Sequence, residues 1–493
     1  MQDIQENYDL VVLGGGPAGT PVAIEYAKLN TDKKIALIDT LGELGGECLF
    51  QGCIPSKIME ASANHIKELA SLEDFGVKLE DKHYKLIWDK IKEKKEKILS
   101  KRTDAAKDVA YSVGNIDIIK AYGSFESEDS IKLLFKDNST KQISFKRAVI
   151  ATGSYANKVH YDGDGVDKII TNEQFFADMV LPKSLGIIGS GAIAIEFTQI
   201  LATLGVEITL FVRGDKILKN LDEKATEYIL KNLQDTKNIN LLLQTDILSV
   251  DKQDEMLNIT YTKNGTTKSI VCEKLLSAIG RKPSIENLSL EKANITYTKK
   301  GISTNDALQT SNKYIFANGD VVDGFPRFAH SAQYSAHIIA QNLFLEHNFF
   351  KPDFSKNSWV LFSSPNIAVA GISEKEAKTK GIEVIVDRYN FNIEAKSQIQ
   401  DKDFGYLEYV VEKSSYKIIG ISIVHEDAHT LGGEASLIVS AKLTLKDMIN
   451  SIHPHPTISE AFVALAKQMM GDIMLKKLSN PILQTLLKIE KAL

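Results

Sequence analysis

Tyr8-Asp-Leu-Val-Val-Leu-Gly14-Gly-Gly16-Pro-Ala-Gly19 is the stretch that decides the fold of this 493-residue chain. An apolar run of strand length leads directly into a turn with the spacing G-x-G-x-x-G, and a helical pattern and a second apolar run, residues 34–39, follow. Asp39 ends that second run. This order predicts a β-α-β unit whose helix N-terminus binds a pyrophosphate, with Asp39 accepting hydrogen bonds from ribose hydroxyls.

A second turn of the same kind follows later in the chain. Gly189-Ser-Gly191-Ala-Ile-Ala194 lies between apolar runs at residues 185–188 and 206–212, with Ala194 in place of the third glycine. Arg213 and Lys219 follow the second run, where an NAD site would place an acid. Because these cations can pair with a 2′-phosphate, NADP(H) is favoured over NAD(H); the alternative is that both are ordinary solvated cations.

Length, composition and charge exclude several other classes of protein. A chain of 493 residues with 43% hydrophobic content predicts two to four domains. The net charge of -5, with both signs interspersed, gives no electrostatic footprint for nucleic acid. The N-terminus lacks the features of a signal peptide, and no window approaches the length of a membrane span. We therefore expect a cytoplasmic protein that binds no nucleic acid and has no membrane span.

Two of the three cysteines, Cys48 and Cys53, lie five residues apart in Gly45-Gly-Glu-Cys-Leu-Phe-Gln-Gly-Cys-Ile-Pro-Ser-Lys57. No neighbouring Cys or His would complete a metal site, so redox chemistry is favoured and no metal is expected. In an ideal helix this spacing separates the Cα atoms by about 8.7 Å, beyond disulfide reach. We therefore expect a distorted loop before a helix that starts near Ile58; two inert thiols are the alternative, and Cys272 is expected in the core.

The cysteine segment resembles the redox-active signature of the class I pyridine nucleotide-disulfide oxidoreductases, and of the dihydrolipoamide dehydrogenase group above all. The resemblance extends over about residues 8 to 465. Its other matching stretches are Ala151-Thr-Gly153, Ala278-Ile-Gly280-Arg281, Ile315-Phe-Ala-Asn-Gly319-Asp320, the segment 364–377, and His453-Pro-His455-Pro-Thr-Ile-Ser-Glu460.

This resemblance implies roles for individual residues. Cys53 would be the thiol beside the flavin that forms the charge-transfer thiolate, and Cys48 would attack the substrate disulfide. Lys57 would lie near the flavin and pair with Glu196.

The same resemblance implies a homodimer, because in such enzymes the His-Pro-Thr-x-x-Glu motif comes from the other subunit. His455 would exchange a proton with Cys48, and Glu460 would orient its ring. From the residues alone, Thr457-Ile-Ser-Glu460 is equally consistent with a helix capping box.

The expected fold is α/β, with two Rossmann-like domains that bind FAD and NAD(P) and a C-terminal α+β dimerisation domain. The predicted boundaries are 1–153 and 281–348 for the FAD domain, 154–280 for the NAD(P) domain, 349–470 for the dimerisation domain, and 471–493 for a helical extension. The candidate cofactor-binding residues are Gly14, Gly16, Gly19, Asp39, Gly46, Lys57, Thr152, Gly153, Gly189, Gly191, Ala194, Arg213, Lys219, Gly280, Arg281, Gly319 and Asp320.

By resemblance, the reaction is electron transfer between NAD(P)H and a lipoyl disulfide, free or on a carrier protein. Glu47, Phe50 and Gln51 depart from the usual Thr and Leu-Asn-Val of that group, and Arg213 resembles the NADP(H) branch. Two alternatives therefore stay open. One is an NADPH-dependent reductase of another small or protein disulfide, and the other is a redox-sensing flavoprotein with little turnover.

Overall fold

The computed structural model describes residues 4–80 and 83–478. The chain divides into two compact units, Met1–Lys219 with Leu233–Pro352, and Asn220–Asn232 with Asp353–Leu493. The finer domain boundaries stay predictions. Of the helical extension predicted for 471–493, the residues after Leu478 lie outside the described residues, and the last described helix continues through Gly471 to Leu478.

The described part of the chain contains strands in both compact units. In chain order they are β1 Asn7–Leu13, β2 Ile35–Asp39, β3 Ile116–Lys120, β4 Tyr122–Ser127, β5 Ser130–Leu134, β6 Thr140–Ile150, β7 Ser154–Ala156, β8 Ser184–Ile188, β9 Glu207–Val212, β10 Ile239–Leu243, β11 Thr245–Gln253, β12 Met256–Lys263, β13 Thr266–Cys272, β14 Lys274–Ser277, β15 Arg281–Pro283, β16 Tyr297–Thr298, β17 Gly301–Ile302, β18 Ile315–Ala317, β19 Ser358–Leu361, β20 Asn366–Gly371, β21 Val384–Asn390, β22 Tyr406–Glu412 and β23 Ile418–His425.

The helices are, in chain order, α1 Thr20–Leu29, α2 Gly46–Phe50, α3 Cys53–Ser71, α4 Trp88–Val113, α5 Asn172–Asp178, α6 Ala192–Thr203, α7 Glu223–Asp235, α8 Ala329–Leu345, α9 Glu374–Thr379, α10 Ala395–Ile399, α11 Ala428–Ser440, α12 Leu445–Asn450 and α13 Glu460–Leu478. Short 3₁₀ turns cover Leu72–Phe75, Val166–Lys168, Leu290–Ala293, Gly319–Val321, Phe354–Lys356 and Phe391–Ile393.

The first unit contains the sheet predicted from the first glycine-rich turn. Its strand order is β3-β2-β1-β6-β5-β4, and β18 also pairs with β6. The strands β3, β2, β1, β6 and β18 run parallel, so their carboxyl ends meet at one edge. Residues Leu10–Leu13 of β1 are almost fully buried, which explains why this strand is apolar without interruption.

A second parallel sheet in the same unit has the order β10-β9-β8-β14 and contains the second glycine-rich turn, between β8 and α6. The antiparallel sheet β11-β12-β13 packs against it through a core that includes Phe211, Ile259 and Cys272. The chain passes from one parallel sheet to the other through two short strands, β7 and β15, which pair antiparallel.

The second unit is built on the antiparallel sheet β19-β20-β23-β22-β21. Alternate residues of β22 and β23, among them Leu407, Tyr409, Ile421 and Ile423, are buried in one core with Phe462 of α13. One face of the sheet therefore supports the helices that follow it in sequence. The α/β fold with two Rossmann-like parts and a C-terminal α+β part is confirmed.

The helix predicted to start near Ile58 starts at Cys53 instead, and a short helix, α2, already includes Cys48. The prediction was wrong because Pro55 was treated as a feature of the loop. In the first turn of α3 a proline is tolerated, since the backbone N–H that it lacks would have no helical partner there. The break between the helices falls at Gln51 and Gly52, where distortion was expected.

Within residues 4–80 and 83–478, no helix combines the length and apolar character needed to cross a bilayer. The same described residues contain no group of three or more His, Cys, Asp or Glu side chains arranged to hold a metal ion.

Candidate active site

The glycine-rich turn between β1 and α1 has one open position. A side-chain carbon at Gly14 would lie 2.3 Å from the carbonyl oxygen of Ala151, and one at Gly19 would lie 2.0 Å from that of Gly14. The fold of the turn itself therefore requires these two glycines. At Gly16, a side-chain carbon would meet only the Cα of Gly46, at 3.7 Å. The turn is thus open at Gly16, where a pyrophosphate could approach the N-terminus of α1.

Asp39 lies beside this turn at the end of β2. Its Oδ2 accepts a hydrogen bond from the Gly15 backbone N–H at 2.9 Å, and its Oδ1 accepts one from the Leu41 N–H at 2.8 Å. These bonds fix the carboxylate, and each oxygen keeps a lone pair for a further donor. The position and chemistry fit the ribose-binding role predicted for Asp39.

The carboxyl ends of β6 and β18 add further polar groups to the same edge. Ser154 Oγ donates to Asp320 Oδ2 at 2.7 Å, and Thr152 Oγ1 donates to the carbonyl oxygen of Ser284 at 2.7 Å. At Gly153 a side-chain carbon would meet no atom within 4 Å. The structure therefore brings Thr152, Gly153 and Asp320 together where two parallel strands end, as a ligand site in such a sheet requires.

Cys48 and Cys53 are both free thiols, and their side chains lie within hydrogen-bond reach of each other. Cys48 is half-buried in α2, whereas Cys53 is exposed at the first position of α3. Gly46 packs against Gly16, which brings this cysteine loop, residues 48–53, next to the open glycine-rich turn. The two thiols and the predicted pyrophosphate site therefore belong to one region.

The two thiols differ in acidity because the hydrogen bond between them acts in opposite directions on their pKa values. The hydrogen bond with Cys48 lowers the pKa of Cys53, with smaller favourable effects from the Cys53 backbone N–H and from Lys57. The same hydrogen bond raises the pKa of Cys48, and burial raises it further. When the pair is reduced, the thiolate therefore forms on Cys53, at the positive end of a helix dipole.

Lys57 lies one turn along α3 from Cys53 and faces α6. Its Nζ is 2.8 Å from Glu196 Oε2 and 3.5 Å from Glu60 Oε2, and the Lys57 side chain is 27% exposed. The structure thus brings together Lys57 and Glu196, two residues that only the family resemblance had paired.

The second glycine-rich turn is open in the same way as the first. A side-chain carbon at Gly189 would lie 2.5 Å from the carbonyl oxygen of Ala278, so packing of the turn requires this glycine. At Gly191 a side-chain carbon would meet no atom within 4 Å. Ala194, which replaces the third glycine, is fully buried in α6. The opening at Gly191 lies at the N-terminus of α6, where a second dinucleotide phosphate would bind.

The strand that follows the second glycine-rich turn and α6, β9, does not end in an acidic residue. Arg213 directly follows β9 and is exposed, and the Nζ of Lys219 lies close to Gly214. The Leu218 backbone N–H donates to the carbonyl oxygen of Ser190, so the segment 213–219 is anchored to the glycine-rich turn. Two cations therefore lie close to the place where an adenosine ribose would be expected.

Arg281 begins β15, directly after Gly280, and points toward the cysteine loop. Its Nε and Nη2 donate to Ser154 Oγ and to the Ser154 carbonyl oxygen at 2.8 and 2.7 Å. Its Nη2 also forms an ion pair with Glu47, the residue before Cys48. The predicted cofactor-binding residue Arg281 thus contacts the residue that directly precedes the cysteine loop.

His455 and Glu460 lie together in the second unit. Both carboxylate oxygens of Glu460 are 3.1 Å from His455 Nδ1, and Oε2 also accepts a hydrogen bond from the Thr457 N–H at 2.9 Å. That backbone bond is the main reason why the pKa of Glu460 is lowered, and His455 adds to the effect. The His455 side chain is 74% exposed, so its second ring nitrogen is accessible.

Comparison with known protein families identifies the chain. The family model described as pyridine nucleotide-disulphide oxidoreductase matches residues 8–336, and the dimerisation domain of the same family matches residues 357–466. This chain belongs to the pyridine nucleotide-disulphide oxidoreductase family. The predictions of the family and of an FAD- and pyridine nucleotide-dependent oxidoreductase are confirmed.

Among curated relatives, the oxidoreductase is 32% identical to a dihydrolipoyl dehydrogenase of Buchnera aphidicola (subsp. Schizaphis graminum), over 96% of this chain and 97% of that protein. It is 29% identical to the dihydrolipoyl dehydrogenase of Geobacillus stearothermophilus, over 94% and 96% of the two chains. Its fold is similar to the crystal structure of LpdA from Mycobacterium tuberculosis, with a TM-score of 0.83, 21% identity, and coverage of 94% of this chain and 100% of that one.

The residues of this oxidoreductase fit both cofactors of its family. The open positions at Gly16 and Gly191 leave room for the phosphates of two dinucleotides at two helix N-termini. The carboxylates of Asp39 and Asp320, next to the first turn and at the end of β18, would be available to hydroxyl groups on the first of them. We therefore expect FAD at the first turn and the nicotinamide cofactor at the second.

Sequence reasoning missed Asn172, whose buried amide donates to the carbonyl oxygen of Gln51 in the cysteine loop at 2.9 Å. It also missed buried Asn318, whose Nδ2 donates to the carbonyl oxygens of Ala18 and Ala332 at 3.0 and 2.9 Å, beside Asp320. An isolated Asn carries no spacing signal that would have identified either residue. Glu47, in contrast, could be noticed from the sequence, because it replaces the Thr that is usual in the family group.

Proposed function

We propose that this oxidoreductase is a dihydrolipoyl dehydrogenase-like enzyme that transfers electrons between a nicotinamide cofactor and a lipoyl disulfide. The observation that carries the proposal is the close pair Cys48 and Cys53, held next to the open turn at Gly16. The relatives named dihydrolipoyl dehydrogenase, which align over nearly the whole chain, support the lipoyl group as substrate.

The cysteine pair performs the disulfide chemistry in this proposal. Bound FAD supplies the two-electron relay between the nicotinamide and the pair. Cys48 attacks one sulfur of the substrate disulfide, and Cys53 displaces the substrate from the mixed disulfide, which leaves Cys48 and Cys53 oxidised and the substrate as a dithiol. The lowered pKa of Cys53 suits this second step, since a thiolate is the attacking species.

We infer that Lys57 and Glu196 act as a pair near the flavin. Lys57 carries its charge one helical turn from Cys53, and Glu196 holds its Nζ at 2.8 Å. A cation fixed one helical turn from Cys53 favours the thiolate form of this cysteine over the thiol. This agrees with the contribution of Lys57 to the lowered pKa of Cys53.

Cys48 needs a base, since its own pKa is raised. We propose that His455 of the partner subunit supplies it in a homodimer, and that Glu460 fixes the ring through Nδ1. The match to the family's dimerisation domain supports the dimer. So do large apolar side chains that the second unit exposes, which include Leu437 at 65% and Ile452 at 97%.

Turnover with defined substrate pairs tests the proposed function. We expect lipoamide to be reduced with at least one of NADH and NADPH, and lipoylated carrier protein to be reduced as well. Oxidised glutathione offered under the same conditions should be a poor substrate. If lipoamide is inert with both cofactors while another disulfide is reduced, the enzyme is a different disulfide reductase, an alternative favoured by Glu47, Phe50 and Gln51. If every disulfide is inert, a redox-sensing role replaces catalysis.

We further propose that the nicotinamide cofactor is NADP(H). The exposed guanidinium of Arg213 follows β9 directly, and Lys219 lies in the same anchored segment. A 2′-phosphate there would form charge-assisted hydrogen bonds with both side chains, whereas NADH offers them no anion.

Reversing the charge at Arg213 should therefore change the cofactor preference. We expect Arg213→Glu to lower kcat/KM for NADPH by about 100-fold, the effect of losing a charge-assisted bond and adding a repulsion. The value for NADH should change by less than about threefold. Lys224→Glu, an exposed charge reversal in α7, is the matched control and should affect neither value. Equal losses for both cofactors in Arg213→Glu would contradict the NADP(H) proposal.

A further inference from the structure

Glu47 lies at the centre of a group of polar side chains that surrounds the cysteine loop and that the proposed reaction does not use. We call this group, Glu47, Asn172, Glu173 and Arg281, the loop clamp. The Glu47 side chain is 28% exposed and that of Arg281 is 16% exposed. The ion pair between them joins residues 234 positions apart in sequence.

One side of the loop clamp is the pair of strands through which the chain enters and leaves the nicotinamide domain. Arg281 of β15 binds the backbone and the hydroxyl of Ser154 in β7, and the Ser154 hydroxyl donates to Asp320. The guanidinium also forms ion pairs with the carboxylates of Glu47 and, at 3.7 Å, Glu173. Arg281 therefore links Glu47 to the strands next to the FAD site.

Helix α5 forms the other side of the loop clamp. Asn172 Nδ2 donates to the Gln51 carbonyl oxygen at 2.9 Å and lies 3.4 Å from Glu47 Oε1. Glu173 Oε1 accepts a hydrogen bond from the Ala156 N–H of β7 at 3.0 Å, which fixes the start of the helix. The chain is thus held at the residue before Cys48, through Glu47, and within the cysteine loop, through the carbonyl oxygen of Gln51.

The negative charge of Glu47 acts on both sulfurs. Its charge raises the pKa of Cys48, the next residue in the chain, and opposes the lowering of the pKa of Cys53, because a nearby negative charge disfavours a thiolate. Arg281 neutralises part of this charge, and Glu173 competes for the same guanidinium. The charged and titratable groups around Glu47 are therefore Arg281, Glu173, Cys48 and Cys53, with Lys57 acting on Cys53.

Glu47 is itself poised to change its charge near neutral pH. Burial raises the pKa of its carboxyl to about 7, against the opposing attraction of Arg281, and the repulsion of Glu173 adds to the increase. Above that pH the carboxylate is ionised and disfavours a thiolate beside it. Below that pH the carboxyl is neutral and no longer destabilises the thiolate.

We propose that Glu47 is a positioning residue that holds the cysteine loop through Arg281 and lowers the reduction potential of the Cys48–Cys53 couple. This inference rests on the proposed role of the two cysteines as a redox pair. Reduction of the disulfide takes two electrons from the reduced nicotinamide cofactor, and one proton goes to Cys48 while Cys53 stays a thiolate. A carboxylate next to that thiolate makes the reduced form less favourable, so the couple becomes more reducing.

Glu47→Gln separates charge from shape, since a glutamine can still accept from Arg281. The holoenzyme would be equilibrated anaerobically with dithiothreitol of graded oxidation state at pH 8 and at pH 6, and the free thiols trapped with N-ethylmaleimide. Mass spectrometry then gives the oxidised fraction of the pair. At pH 8 we expect the equilibrium constant for reduction of the pair to rise about three- to tenfold over wild type. This corresponds to an increase of up to about 30 mV in the reduction potential. At pH 6 the two proteins should agree within about twofold, because Glu47 is then protonated in wild type.

Glu43→Gln is the matched control. It removes a carboxylate four residues before Glu47, and that carboxylate pairs with Lys107 and not with Arg281. It should leave the equilibrium unchanged at both pH values. If Glu47→Gln loses its flavin, Glu47→Thr, which carries the residue usual in the family group, replaces it with the same expected shift. A shift of equal size at pH 6 and pH 8, or none at either, overturns the inference. A wild-type pair that shows no reversible reduction overturns the proposed function instead.

Discussion

Cys48→Ser and Cys53→Ser should each lower the rate of disulfide reduction by at least about 10³-fold. A serine hydroxyl is a far weaker nucleophile than a thiolate, and neither variant can form the internal disulfide that receives the electrons. The proposed turnover needs both sulfurs, one to attack the substrate and one to release it. Steady-state rates with lipoamide measure the loss.

The third cysteine provides the control for this experiment. Cys272 is buried in β13, where burial raises its pKa to about 11 and its Sγ donates to the Lys274 carbonyl oxygen. Cys272→Ser keeps that donor, so we expect its activity to stay within about twofold of wild type. Reduction of an artificial dye by the nicotinamide cofactor should survive in all three variants, since it bypasses the cysteines. Residual lipoamide activity near wild type in Cys53→Ser would refute the proposed relay.

The parts of the fold that could be predicted from the sequence are those with a local cause. The strand before Gly14 and the strand before Gly189 are apolar because both faces are covered, and the turns need glycine where a side-chain carbon would clash with a neighbouring strand end. These constraints act within about 30 residues and are visible in the spacing alone.

Contacts between distant segments could not be predicted in this way. The pair Lys57–Glu196 bridges 139 positions, and only the family resemblance suggested it. The pair Glu47–Arg281 bridges 234 positions, and Glu47 departs from the Thr usual in the family group, so the sequence marked Glu47 as unusual without naming its partner. The start of α3 was misplaced because a proline permits the first turn of a helix as readily as a loop.

His455→Gln should lower kcat/KM for lipoamide by about 10²- to 10⁴-fold, the usual contribution of a general acid–base group. Glu460 lies 3.1 Å from His455 Nδ1 and stays ionised at neutral pH because the Thr457 N–H lowers its pKa, so it can stabilise the protonated ring. Glu460→Gln keeps an acceptor for Thr457 but loses the charge, and we expect it to lower kcat/KM for lipoamide by about ten- to 100-fold.

His453→Gln is the matched control. This histidine pairs with Glu434 at 2.7 Å and its side chain is 13% exposed, so it is less accessible to a thiol of another subunit. Equal losses in the His453 and His455 variants would indicate a structural role for the whole segment and remove His455 from the proposed proton transfer.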